Sequence, residues 1–235
     1  MPETAVVPEK ENRMNLPSIV SEEEWQEAHE RLLVREKEVM RERDALAAER
    51  RRQPMMELPT DFSFEGPDGA LTLPDLFDGR PQLILYHFWF PAGGEPCKGC
   101  SMVADQISEL AHLHARDTSF ALVSRAPQAD LENYRRRMGW SLPWYTDELA
   151  FQEARRTTEY FALDVLLRED DRVFLTYETR NRGIEEIGTI WSLLDRTPLG
   201  RQEEWEDTPA GRPQSDPYGW WRKHDEYEVG SDSGD

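Results

Sequence analysis

Cysteine, lysine and long apolar runs are what this 235-residue chain has least of. No stretch approaches the roughly 20 apolar residues that a membrane-spanning helix needs. The first residues also lack a basic-then-apolar leader, so a soluble, cytoplasmic protein is expected. Lysine stands only at Lys10, Lys37, Lys98 and Lys223, leaving arginine to carry the positive charge; a GC-rich genome accounts for that skew. Cations are short altogether, 28 Lys and Arg against 47 Asp and Glu, for a net charge of −19. So acidic a chain repels phosphate backbones and anionic lipid surfaces, and neither nucleic acid nor membrane is expected as a partner. There is no internal repeat. Hydrophobic residues make up 38% of the chain, below the usual globular share. Eight tryptophans nevertheless supply material for a packed core in the middle of the chain.

Residues 1–20 show no periodicity and read as a loose tail. Ser21 followed by Glu24 is a capping box, and it opens a helical segment assigned to 21–54. Trp25, Ala28, Leu32, Val39 and Leu46 form one narrow apolar stripe among Glu and Arg. At about 1.5 Å per residue such a helix is nearly 50 Å long. It either lies along the main domain or pairs with a second copy, giving a homodimer through the N-terminal helix.

The main domain is assigned to 55–200. Phe62 and Phe64, the turn Gly66-Pro67-Asp68-Gly69, then Leu71 and Leu73 spell a hairpin. Residues 82–90 are almost continuously apolar, as in a strand buried on both faces. A Gly/Pro loop and a helical pattern from Cys97 to about Arg116 follow. A second buried strand is expected over 119–124 and a polar helix over 130–138. This β-α-β-α order predicts a parallel sheet with right-handed crossovers. Residues 163–167 and 173–177 flank the turn Glu169-Asp170-Asp171 as an antiparallel hairpin, and 184–194 reads as a closing helix. Residues 201–227 form an aromatic C-terminal extension whose Trp220 and Trp221 dock back on the domain. Residues 228–235 are an acidic tail. Arg135, Arg136 and Arg137 read as a solvated helix face.

The only two cysteines stand in Cys97-Lys98-Gly99-Cys100, where a buried strand hands over to a helix. That placement suits thiol–disulfide exchange. The free N–H groups and positive dipole end of the helix stabilise a thiolate at the first position, with Lys98 beside it. Cys97 would attack, and Cys100, one turn into the helix, would resolve the mixed disulfide. The reading requires no bound cofactor and no metal, only a protein disulfide or dithiol as substrate. Two other readings use the same residues. The thiols are incidental to a non-catalytic protein-binding module, or two Cys pairs bridge a zinc between subunits. His112 and His114 cannot complete a zinc site with Cys100 if the helix is continuous, because about 18 Å of helical rise separates them.

The strand-loop-CxxC-helix order resembles the thioredoxin superfamily. More closely, REKEVMRERDALAAERRR, the 62–90 segment, the CxxC followed by Ser101, LLDRTPLGRQEEW and WWRKHDEY are similar to the bacterial "domain of unknown function 899" family. The resemblance runs over about 21–227 and implies a thioredoxin-like α/β fold, a three-layer sandwich here extended by the N-terminal helix and the aromatic C-terminus. Matching Phe88-Trp89 to the corresponding pair of thioredoxins puts His87 where they keep a buried acid. The resemblance thus implies a proton-moving role for His87 at the resolving thiol; the other reading of the same residue is a core histidine satisfied by a backbone carbonyl, while Tyr86, on the opposite strand face, reads as packing. Where thioredoxin-like proteins keep a cis-proline, this chain has Glu159-Tyr160-Phe161-Ala162-Leu163, with no proline, and the binding-module reading draws on that. Three residues before Cys97 is Gly94, which does not fit the peroxiredoxin pattern.

Overall fold

The computed structural model of the chain describes residues 17–107, 109–147, 150–157 and 161–227. Of the tails expected at 1–20 and 228–235, all but 17–20 lies outside the described residues. The chain divides into two compact units, one of Met40–Ile190 with Trp221–Asp235, the other of Met1–Val39 with Trp191–Trp220.

Helix α1 (Glu22–Arg50) starts where its capping box requires. The Ser21 N–H donates to the Glu24 carboxylate at 3.0 Å, and the Glu24 N–H returns to Ser21 Oγ at 3.3 Å. Glu22, Glu23 and Glu24 put negative charge in the first turn, against the positive end of the helix dipole. No residue of α1 is buried, and Trp25, Leu32, Val39 and Leu46 remain exposed. Among the described residues no helix is long and apolar enough to cross a membrane.

The larger unit is organised by one sheet. Its strands are β1 (Met56–Leu58), β2 (Ser63–Gly66), β3 (Gly69–Thr72), β4 (Gln82–His87), β5 (Thr118–Ser124), β6 (Trp144–Asp147), β7 (Ala162–Glu169) and β8 (Arg172–Arg180). They lie in the order β1-β8-β7-β4-β5-β6-β2-β3. The expected hairpin is β2 and β3, with Gly69 at φ 119 supplying a turn conformation that side-chain-bearing residues rarely adopt. β4, β5 and β6 run parallel, and their crossovers carry α2 (Lys98–Asp105), α3 (Ala111–His114) and α4 (Gln128–Arg137). β7 pairs antiparallel with β4 and turns back into β8. A mixed α/β sheet whose central strand hands over to a cysteine-bearing helix is the arrangement that the sequence predicts.

Side-chain alternation gives β4 two buried faces. Leu83 and Leu85 join Phe64, Phe77, Ala121, Val123 and Phe151 in one core, Phe151 coming from α5 (Ala150–Arg155). Tyr86 turns the other way and meets Phe88 edge-on, with ring centroids 6.4 Å apart. Phe88 in turn lies 4.7 Å from Trp144 and 6.5 Å from Tyr134 of α4. Each such fully buried side chain contributes roughly 1.5–3 kcal/mol through area removed from water.

The elements depart from the sequence reading in six places. β4 ends at His87, and residues 88–90 continue without strand pairing. The helix expected from Cys97 to about Arg116 is two pieces, because Gln106 closes α2: its side-chain N–H donates back to the Met102 carbonyl at 2.7 Å, and its Oε1 accepts the Ile190 N–H at 2.6 Å. The closing helix is likewise two pieces, a 3-10 turn over Asn181–Ile187 and then α6 (Thr189–Leu194). β1, β6 and α5 are additions to that reading.

In the smaller unit the carboxylate of buried Glu203 gathers Trp220 Nε1 at 2.7 Å, the Tyr218 N–H at 2.9 Å and the Trp205 indole N–H. Three donors compensate a carboxylate withdrawn from water.

Candidate active site

Beyond His87 the backbone is fastened to β5 and to the turn after it. The Phe88 N–H donates to the Val123 carbonyl at 2.9 Å, and Ala126 donates to the Phe90 carbonyl at 2.9 Å. The loop that follows folds back until the Cys97 N–H reaches the Trp89 carbonyl at 3.0 Å. That bond sets Cys97 at the N-cap of α2 in an extended conformation. Its sulfur, where serine or aspartate would ordinarily place an oxygen, accepts the Cys100 N–H at 3.3 Å.

This geometry differentiates the two thiols. Cys97 is partly accessible, and its pKa is lowered to about 7. The hydrogen bond from the Cys100 thiol contributes most; burial opposes it, and the Cys100 and Gly99 amides assist. Lys98, expected to help as a cation, is exposed. Cys100 is fully buried, and its thiol is pushed well above its usual pKa, first by burial and then by Cys97. Two donors act in the opposite direction, the Trp89 N–H at 3.4 Å and the hydroxyl of Tyr86. The turn itself is anchored by Ser101, whose Oγ donates to the Cys97 carbonyl at 2.8 Å and meets Tyr134 Oη at 2.8 Å.

The structure therefore brings Cys97 and Cys100 together and places His87 elsewhere. Strand alternation sends the His87 ring to the opposite sheet face, where it stacks on Phe151 at 5.6 Å. Its Nε2 lies 3.1 Å from Asp164 Oδ2 and its Nδ1 3.0 Å from Thr157 Oγ1. Arg155 Nε donates to the same Asp164 oxygen at 2.9 Å, and its Nη2 donates to Glu178 Oε2 and lies 3.4 Å from Asp164 Oδ1. Burial raises the Asp164 carboxyl, but His87 and Arg155 together outweigh it and hold the pKa below the ordinary value. The position under the resolving thiol belongs instead to Tyr86, which the sequence reading treats as packing. Its hydroxyl is wholly buried and short of a well-formed hydrogen bond to any described residue.

Trp221 is a second residue at the site. A Cβ added to Gly99 would lie 2.4 Å from Trp221 Cζ3, so the indole rests directly on the middle of the cysteine turn. A glycine inside the CxxC is the sequence signal for that approach. The following residues strap this position across α2 and α4. Lys223 Nζ reaches Glu95 of the cysteine loop at 3.4 Å, His224 Nδ1 is 2.6 Å from Asp105, and Arg137 holds Asp225 through two bonds of 2.7 and 3.0 Å. Among the described residues, no group of three or more His, Cys, Asp or Glu is placed to hold a metal ion.

Three comparisons bear on the chain. A family model described as "Bacterial protein of unknown function (DUF899)" matches residues 14–227. No curated protein matches. Among solved structures, a cysteine-to-serine mutant of peroxiredoxin Q of Xanthomonas campestris is 16% identical over 60% of this chain and 96% of its own, with a TM-score of 0.44. The bacterioferritin comigratory protein of Xanthomonas campestris is 15% identical over 59% and 94%, at 0.45. A secreted disulfide oxidoreductase of Mycobacterium tuberculosis is 12% identical over 55% and 92%, at 0.37. At these identities the likenesses carry no chemistry over to this chain.

Proposed function

As the chain belongs to the bacterial DUF899 family, whose own function is unknown, we propose from the site itself that it exchanges thiols and disulfides through Cys97 and Cys100. The observation that carries the proposal is the division between the two sulfurs. One is partly accessible at a helix N-cap with a pKa near 7, and the other is buried one turn behind it with its thiol form favoured. A pKa near ambient pH is the best balance between a substantial thiolate fraction and the nucleophilicity that is lost as a thiol's pKa falls.

The Cys97 thiolate attacks one sulfur of a protein disulfide, forms a mixed disulfide and releases the other sulfur as a thiolate. Cys100, deprotonated, then attacks Cys97; the Cys97–Cys100 bond forms and the substrate leaves as a dithiol. Two electrons pass from this chain to the substrate, and the reverse sequence oxidises a dithiol. The pair's potential relative to its surroundings decides between the two directions and between catalysis and redox sensing.

Equilibration of the protein against graded glutathione buffers, read by alkylation and mass spectrometry, tests the proposal. A reversible intramolecular disulfide with a midpoint within about −120 to −270 mV supports it. A pair that never closes overturns it in favour of the binding module, a reading supported by Trp221 lying on the cysteine turn and by the absence of proline from 159–163.

A further inference from the structure

A buried hydroxyl without a proper partner is unusual in a folded chain, and each instance asks for an explanation. Tyr86 Oη is such a group: the residue has no exposed surface, and among the described residues nothing completes a hydrogen bond to it. Tyr86 is set on the α2 side of β4 by the same alternation that sends His87 away. On that side its ring meets Phe88, which packs on Tyr134, the hydrogen-bond partner of Ser101 beside Cys100; of the two thiols, Cys100 acts on it more strongly than Cys97.

A neutral thiol is a weak acceptor, whereas a thiolate is a strong one. An idle hydroxyl at this position therefore has its partner in only one state of the protein, when Cys100 has lost its proton. That state is required in the second half of the exchange, once Cys97 is blocked in a mixed disulfide and can no longer assist. Burial opposes a Cys100 thiolate, and the only other donor to that sulfur among the described residues is the Trp89 N–H at 3.4 Å. Burial also holds the tyrosine proton in place well beyond pH 10, and Cys100 adds to that effect, so the group donates without ionising.

We propose that Tyr86 is a catalytic residue for resolution: its hydroxyl hydrogen-bonds the Cys100 thiolate as that sulfur attacks Cys97, an inference that rests on the thiol–disulfide reading above. In the step, Cys100 gives its proton to solvent or to the departing thiolate. The Cys97–Cys100 bond forms, the bond from Cys97 to the substrate sulfur breaks, and the electron pair leaves on that sulfur. Tyr86 keeps its proton throughout.

Dithiobis(nitrobenzoate) separates the two halves of the reaction. Attack by Cys97 releases one coloured thiolate, and resolution by Cys100 releases the second. In Tyr86→Phe, which keeps the ring, the first phase should match the native protein and serves as a check on folding. The second phase should slow by about tenfold or more, as expected for loss of a hydrogen bond to a charged group, and its pH midpoint should move upward. Equal second phases in the two proteins overturn the role of Tyr86 and leave the exchange reading standing. No second phase in the native protein, with the mixed disulfide persisting as in Cys100→Ser, overturns both.

Discussion

The amide of Cys100 points at the sulfur of Cys97 across 3.3 Å, so one cysteine's backbone stabilises the charged form of the other's side chain. The bond is local to one helical turn and depends on Cys97 being the N-cap, a position where an anion also gains from the helix dipole.

Alkylation by iodoacetamide should therefore follow a single titration with a midpoint of about 7, assigned by mass spectrometry to Cys97. Cys100, buried and held in the thiol form, should be modified only on unfolding. Cys97→Ser should leave the folded protein almost unreactive. Comparable labelling of the two cysteines in the folded state would contradict the asymmetry.

Gly99 and Trp221 should be coupled. Alanine at 99 puts a carbon 2.4 Å from the indole, so something must move. Overpacking of this kind typically costs about 1–3 kcal/mol. Gly99→Ala should show that loss in urea denaturation of the otherwise native protein and much less of it in a Trp221→Ala background, a coupling that a double-mutant cycle isolates. Trp221→Ala alone should also speed alkylation of Cys97. Additive effects would show that the ring does not rest on the turn.

Asp164 should govern acid stability. His87 and Arg155 hold its folded pKa below the unfolded value of about 3.9. Its contribution is therefore complete above that unfolded value and is lost as pH falls through the lower, folded one. Asp164→Asn leaves Arg155 buried with a weaker partner, and breaking a buried pair in this way typically costs about 3–5 kcal/mol near neutral pH. Denaturation across pH 2–7 should show the native protein losing its advantage over the variant only at the acid end. Parallel curves would refute the assignment.

The parts of this molecule that could be read from sequence are those whose cause is local. The Ser21–Glu24 box needs only residues three apart, the alternation of Phe62 and Phe64 with polar neighbours marks one wet face, and Cys97 and Cys100 carry their spacing with them. Tyr86 and His87 show where such reading stops. A strand buried on both faces has no polar side to fix its parity, so an alignment anchored on Phe88-Trp89 gives His87 the position that Tyr86 occupies. The break in the helix after Asp105 is hidden for a different reason. The sequence around Gln106 suits a helix, and one of the bonds made by its side chain goes to the Ile190 backbone, more than eighty residues away. β6, at four residues, is too short for periodicity to register.

The placement of Trp221 on Gly99 also has a meaning in time. A ribosome adding about 5–20 residues per second delivers that indole on the order of ten seconds after the cysteine turn, about 120 residues later. Throughout that interval the nascent chain carries its cysteines without their cover. If the indole slows reagents at the cysteine turn, chains stalled before Trp221 should form Cys97 adducts faster than finished chains do.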